Sequence, residues 1–204
     1  MDYESLLKDS WNPLKENIVT YIVALLIAVV GSILIVTIAP LAYGIGYMAV
    51  KGARKEAVEI NDVFVGFKSE NFLRSWIYVI IYAVIIAVAN SIHSIVGTVV
   101  GILFIFALPL LVIRGYGGVD ALKESFELVK DNPFESLIIY VINFVLIFIG
   151  ILLLGIGVLV TAPLGQIFVA NATFDLIGDR NASSPEQFVD LSGEEDDSSK
   201  WTVE

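Results

Sequence analysis

Three stretches of this chain contain no Asp, Glu, Lys or Arg: residues 18–50, 77–113 and 136–174, which hold 33, 37 and 39 residues. An apolar run of about 18 residues is already long enough to cross a bilayer whose hydrocarbon core is roughly 30 Å thick. A helix rises 1.5 Å per residue, so each run would make a single helix of about 50–59 Å, far too long for one crossing. Each run is therefore expected to fold back on itself as two spans of about 16 to 20 residues. A soluble core could not hide three such runs in 204 residues. The fold class that follows is all-α: a polytopic membrane protein with about six transmembrane helices arranged as three hairpins.

The basic residues favour hairpins over single spans. With hairpins, the charged segments 1–17, 51–76, 114–135 and 175–204 all lie on one side, and they hold all twelve Lys and Arg. That is the positive-inside pattern in extreme form. With three single spans the twelve would divide five against seven and give no orientation. Both termini are accordingly expected in the cytoplasm and the chain in the cell (plasma) membrane. Residues 1–17 carry Asp2, Glu4, Asp9 and Glu16 against two lysines, unlike the basic start of a signal peptide. The first run is expected to act as an uncleaved anchor.

The turns are less sharply marked. Asn90-Ser-Ile-His-Ser94 is a polar turn for the second hairpin; the first is expected to turn between Gly31 and Pro40, the third between Gly150 and Pro163. Pro40 and Pro163 share the context Ala-Pro-Leu and are expected to open the returning helices, because a first-turn proline forfeits no hydrogen bond. Pro109 lies deeper and is expected to kink its helix.

The segments before the runs resemble one another. Leu7-Lys-Asp-Ser-Trp-Asn-Pro-Leu-Lys-Glu-Asn17 and Leu122-Lys-Glu-Ser-Phe-Glu-Leu-Val-Lys-Asp-Asn132 agree at five of eleven positions. Average residue usage would give roughly one match or none. Tyr3, Leu6, Leu7, Trp11 and Leu14 recur at helical spacing, as do Val119, Leu122, Phe126 and Val129. A weaker middle copy aligns Asp62, Phe64, Lys68, Phe72 and Tyr78 with Glu124, Phe126, Lys130, Phe134 and Tyr140. The expected unit is an amphipathic interfacial helix followed by a membrane hairpin, repeated three times. The division is a membrane domain over residues 1–180, with repeats at about 2–57, 58–117 and 118–180. Residues 181–204 form an acidic tail with too little apolar surface to fold alone, expected to be disordered in the cytoplasm. Trp11, Trp76 and Phe126 are the expected interfacial anchors. The polar faces of these helices mix both signs, so tight binding to anionic lipid is not implied.

Gly117-Gly-Val-Asp-Ala-Leu-Lys-Glu-Ser-Phe-Glu-Leu-Val-Lys-Asp-Asn132, followed by Leu152-Leu-Leu-Gly-Ile-Gly-Val-Leu-Val-Thr-Ala-Pro-Leu164, resembles an uncharacterised family of archaeal and bacterial multi-pass membrane proteins. These are similar to the membrane domain attached to some glycerophosphoryl diester phosphodiesterases. The resemblance covers most of residues 1–179 and implies architecture. It implies no lipid-hydrolysing activity, since the chain has no room for the soluble phosphodiesterase domain.

Residues able to carry chemistry are few. Cys is absent, which removes thiolate metal sites and thiol nucleophiles. His93 is the single histidine and sits at a turn with no acid beside it, so an exposed turn residue is expected rather than a metal ligand or pH sensor. No metal, cofactor or catalytic residue is assigned. Asn143, Thr161 and Asn171 are the candidate intramembrane polar contacts: Asn143 and Asn171 are expected to hydrogen-bond between helices, and Thr161, like Thr37, to cap or back-bond beside its proline. Gly97 and Gly101 form a GxxxG pattern, read as helix packing within the chain. The basic residues are interleaved with acids and make no nucleic-acid patch. The expectation is a non-enzymatic scaffold, accessory or lipid-organising protein. Its partners would be membrane lipids, with a protein on the cytoplasmic face or a second copy of the chain. The alternative is a small transporter or channel for a neutral or lipid-like solute. A polar cavity shared by Asn143, Thr161 and Asn171 would favour transport, and a dry bundle the scaffold.

Overall fold

A computed structural model of the chain describes residues 1–153 and 155–178, and every element in it is helical. The acidic tail lies outside the described residues. Helix α1 (Tyr3–Glu16) starts at Asp2, whose carboxylate accepts from the Glu4 and Ser5 amides at 3.2 Å. This N-cap satisfies two donors that a helix start leaves open. The chain then bends by 84° at Asn17 into α2 (Ile18–Gly31). A short 3₁₀ turn (Ile35–Thr37) leads into the returning helix α3 (Ile38–Ala53).

The second hairpin pairs α4 (Ser69–Ile92) with α5 (Ser94–Leu103) and α6 (Ala107–Ile113). The third follows α7 (Gly118–Asp131) and pairs α8 (Pro133–Leu152) with α9 (Val158–Ile177). All three turns fall inside the expected windows. Pro40 is the third residue of α3 and opens it as expected. Pro163 does not open α9: it is the sixth residue, inside the helix. The helix starts earlier because the glycine-rich turn ends at Gly157, ahead of the proline. Pro109 is the third residue of α6, and the break between α5 and α6 spans residues 104–106. A proline ring collides with the carbonyl four residues back, here Ile105, so the helix is interrupted there.

Among the described residues, five stretches are long and apolar enough to cross a membrane: Ile35–Ala53, Ser69–Ile92, Ser94–Ile113, Pro133–Leu152 and Val158–Ile177. A sixth is reached only through the bent pair α1–α2, because α2 alone has 14 residues. At about 21 Å it is shorter than the hydrocarbon core.

The hairpins sort into an inner and an outer layer. The apolar windows of α3 and α9 are 56% and 61% buried, against 11% for α4 and 17% for α8. Helices α3, α6 and α9 touch one another, and Met48, Phe106, Leu110, Ile167 and Phe168 fill their surroundings with no accessible surface. Outside them, α4 and α8 expose Val84, Val88, Phe144 and Phe148 by half or more. Leaving such side chains half in water would cost about 1 kcal/mol each. A bilayer removes that cost, so the protein is an integral membrane protein. Exposed hydroxyls of the second hairpin bond to their own helices, Ser91 to Ala87 (2.8 Å) and Thr98 to Ser94 (3.1 Å), which keeps them satisfied in lipid.

The segments between hairpins pack in a cyclic order. Segment 60–67 lies against α3, α7 against α6, and α1 against α9. Each rests on the returning helix of the hairpin before it, and the first closes onto the last. The middle segment is a 3₁₀ helix (Ile60–Phe67), not the expected α-helix. Glu59 and Asp62 cap its first turn reciprocally, and Gly66 lets it press onto α3. There a Cβ at Gly44 would overlap the Val63 carbonyl, and one at Gly66 would overlap the Pro40 carbonyl. Two backbones meet with no room for a side chain between them.

Candidate functional site

Among the cavities lined by the described residues, two differ sharply in chemistry. The first is a cleft of about 420 Å³ between α4, α5, α8 and α9. Asn90, Asn143 and Gln166 bring three carboxamides to it, and Tyr82, Tyr140 and Thr98 bring hydroxyls. Among its described lining residues there is no charge. Asn143 seats its side-chain oxygen against Gly165 of α9, where a Cβ would displace it.

The other two expected polar contacts lie elsewhere. Asn171 is buried on α9 and donates to Ser10 Oγ of α1 at 2.9 Å; Ser10 in turn donates to the Leu6 carbonyl at 2.7 Å. The bond joins residues 161 positions apart and closes the cyclic packing. Thr161 sits against Gly150 in the α8–α9 contact, and its enclosed hydroxyl has no hydrogen-bond partner among the described residues. It does not back-bond, whereas Thr37 does, donating to the Leu34 carbonyl at 2.6 Å. Asn143, Thr161 and Asn171 therefore do not share one cavity. The physical reason is helix phase: Thr161 and Asn171 face α8 and α1, while the cleft takes Gln166 from the same helix.

Gly97 and Gly101 both line the cleft but differ in role. Gly97 is buried, with the Asn90 carboxamide filling the space a Cβ would need. Gly101 has Tyr140 of α8 at an ordinary 3.5 Å. The pattern packs the chain against itself. Among the expected anchors, Trp11 and Phe126 are 43% and 45% exposed, and Trp76 is half-buried in the second turn of α4. His93 is the exposed N-cap of α5 and accepts from the Ile95 amide at 3.2 Å.

The second cavity, about 560 Å³, sits at the charged end. Lys51 and Arg54 of α3, Lys68 and Arg74 at the start of α4, and Arg114 after α6 all line it. Two carboxylates, Glu56 and Glu70, accompany these five cations. Sequence reasoning missed this site. The five come from three separate stretches in which acids alternate with bases, so no local window shows the excess. Of the acids, Asp62 is held by Lys51 at 2.8 Å and Asp120 lies 3.8 Å from Lys123 on the exposed side of α7. Among the described residues, no three His, Cys, Asp or Glu side chains gather where they could hold a metal ion.

Comparison with known proteins adds a family. Residues 72–178, over half of the chain, match the membrane domain of glycerophosphoryl diester phosphodiesterase. No curated protein and no solved structure matches the chain. The matched span runs from the start of α4 to the end of α9 and so holds the second and third hairpins with α7 between them. The chain belongs to the family of that phosphodiesterase-associated membrane domain.

Proposed function

We propose that the protein is a non-enzymatic organiser of the cell membrane: a scaffold or accessory protein that gathers lipid, or a protein partner, around a closed bundle. Both termini are cytoplasmic, and the body is three copies of one unit, an amphipathic interfacial segment followed by a hairpin. The observation that carries this reading is the filled centre between α3, α6 and α9, where Met48, Phe106, Leu110, Ile167 and Phe168 have no accessible surface. The cyclic packing of the three inter-hairpin segments supports the repeat. The exposed Trp11, Phe64 and Phe126 on those segments support an interfacial position.

The uncharged cleft favours a second reading, a carrier for a neutral or lipid-like solute. Reconstitution of the full chain in liposomes separates the two. The expected result is no hydrolysis of glycerophosphocholine and no acceleration of glycerol efflux. Hydrolysis overturns the non-enzymatic reading, and glycerol efflux abolished by Asn143→Ala moves it to a carrier. Orientation is tested by labelling intact cells with an impermeant thiol reagent. Ser94→Cys is expected to react and Lys123→Cys to stay protected; the reverse pattern would put the termini outside.

A further inference from the structure

The cavity at the charged end holds more positive charge than its architecture needs. Lys51, Arg54 and Arg114 stand at the C-terminal ends of α3 and α6, where a cation complements the negative end of the helix dipole. Lys51 is also paired with Asp62, and Arg54 lies 4.0 Å from Glu56 with its guanidinium 5.1 Å from the Phe174 ring. Those three have structural work.

Lys68 and Arg74 do not fit that account. Lys68 stands at the N-cap of α4, where a cation is unfavourable by itself and the helix end is answered by Glu70 in the first turn; Arg74 lies one turn further in, beyond the reach of the dipole. Neither has a carboxylate in salt-bridge range among the described residues. Arg74 lies beside the Tyr43 hydroxyl, a neutral neighbour that leaves its charge uncancelled. Lys68 and Arg74 therefore bring two cations without an ion-pair partner among the described residues to one cavity. An anion held there would neutralise them.

The position narrows the anion. The cavity lies where α3 and α6 end and α4 begins, so it sits at the depth of the headgroups, with Val50, Val65 and Val112 also on its wall. A phosphate with a short polar tail fits about 560 Å³, and apolar wall segments suit the adjoining acyl region. We infer that this cavity binds the phosphate group of an anionic lipid headgroup, with Lys68 and Arg74 as its principal ligands. The lipid source rests on the membrane-organising reading; the phosphate chemistry does not.

The test is thermal unfolding of the full chain in a zwitterionic detergent, followed by tryptophan fluorescence. Dioleoylphosphatidylglycerol is compared with dioleoylphosphatidylcholine, and sodium phosphate with sodium chloride at equal ionic strength. Phosphatidylglycerol is expected to raise the unfolding midpoint and phosphatidylcholine to leave it in place. In Lys68→Gln/Arg74→Gln the half-saturating concentration should rise about tenfold. Lys123→Gln/Lys130→Gln, which removes the same charge from the exposed side of α7, should respond like the wild type. If the double variant fails to fold, Lys68→Gln alone, at an exposed position, carries the comparison. Stabilisation by phosphate without phosphatidylglycerol keeps the site, assigns it to a soluble phosphate compound, and counts against the membrane-organising reading alone. Equal responses of the wild type and the Lys68 and Arg74 variants to every additive would overturn the inference.

Discussion

The two ends of the bundle are built on different principles. Toward the charged end, Lys51 is paired with Asp62 while one-fifth exposed or less and Asn171 reaches across to Ser10, and midway along α3 the backbone at Gly44 touches segment 60–67. At the far end, the turns of the first and third hairpins expose Ile33, Leu34, Ile35, Leu152, Leu153 and Ile156 by 60% or more. Gly155, in the third turn, has nothing within 4 Å of where a Cβ would stand. One end is specified by the protein's own contacts, and the other is left to the surrounding lipid. Stability should therefore be lost at the first end and tolerated at the second.

Gly44→Leu is the harshest test. The new side chain would drive α3 and segment 60–67 apart, at a cost of about 3 kcal/mol in a reversible unfolding assay in detergent. A value near zero would mean that the two backbones do not touch. Lys51→Ala should follow at about 2 kcal/mol, since it strands the Asp62 carboxylate, which is 13% exposed. Asp62→Asn in the same background should recover part of the loss, and no recovery would argue against the pair. At the far end, Gly155→Ala should cost about 1 kcal/mol, because φ is +77° and the space is open, so only backbone strain opposes it. A larger loss would show that the turn is packed after all and would erase the contrast. Lys8→Ala is the mildest change. Lys8 and Glu4 make a 2.6 Å pair at the charged end, but both side chains are more than 70% exposed, so the effect should stay within about 0.5 kcal/mol. Gly44→Leu against Lys51→Ala and Lys8→Ala separates packing from charge as the source of strength, and Gly155→Ala gives the far-end reference.

Much of the first-order architecture is legible in the sequence. Run length and the gaps between charges place the hairpin turns, and Pro109 marks the break before α6. Ser10 and Ser125, which occupy equivalent positions in the repeated stretch, are both fully buried, though nothing in the stretch itself marks them out. Ser125 donates to the Leu103 carbonyl at 2.9 Å, where the α5–α6 break leaves an acceptor free. What the sequence hides is whatever depends on helix phase or on distant segments. Asn143, Thr161 and Asn171 look alike as polar residues in apolar runs, yet they face a cleft, a helix contact and α1. Pro163 reads like Pro40 from its neighbours, but the turn ahead of it ends sooner. The basic cavity is invisible because its five cations converge only after α3, α4 and α6 have packed. Gly44 and Gly66 stand among other glycines, and only the packed backbones distinguish them.

The shortness of α2 has an elastic consequence. Its 14 residues span about 21 Å, while the 24 residues of α4 span about 36 Å. The turn after α2 exposes Ile33, Leu34 and Ile35, and its two hydroxyls, Ser32 and Thr37, are already spent on the chain's own carbonyls, Ala28 and Leu34. Lipid beside the first hairpin must thin, and lipid beside the second must thicken or see its helix tilt. The protein thus imposes a gradient of bilayer thickness around its own circumference, and its energy in a membrane depends on how stiff that membrane is.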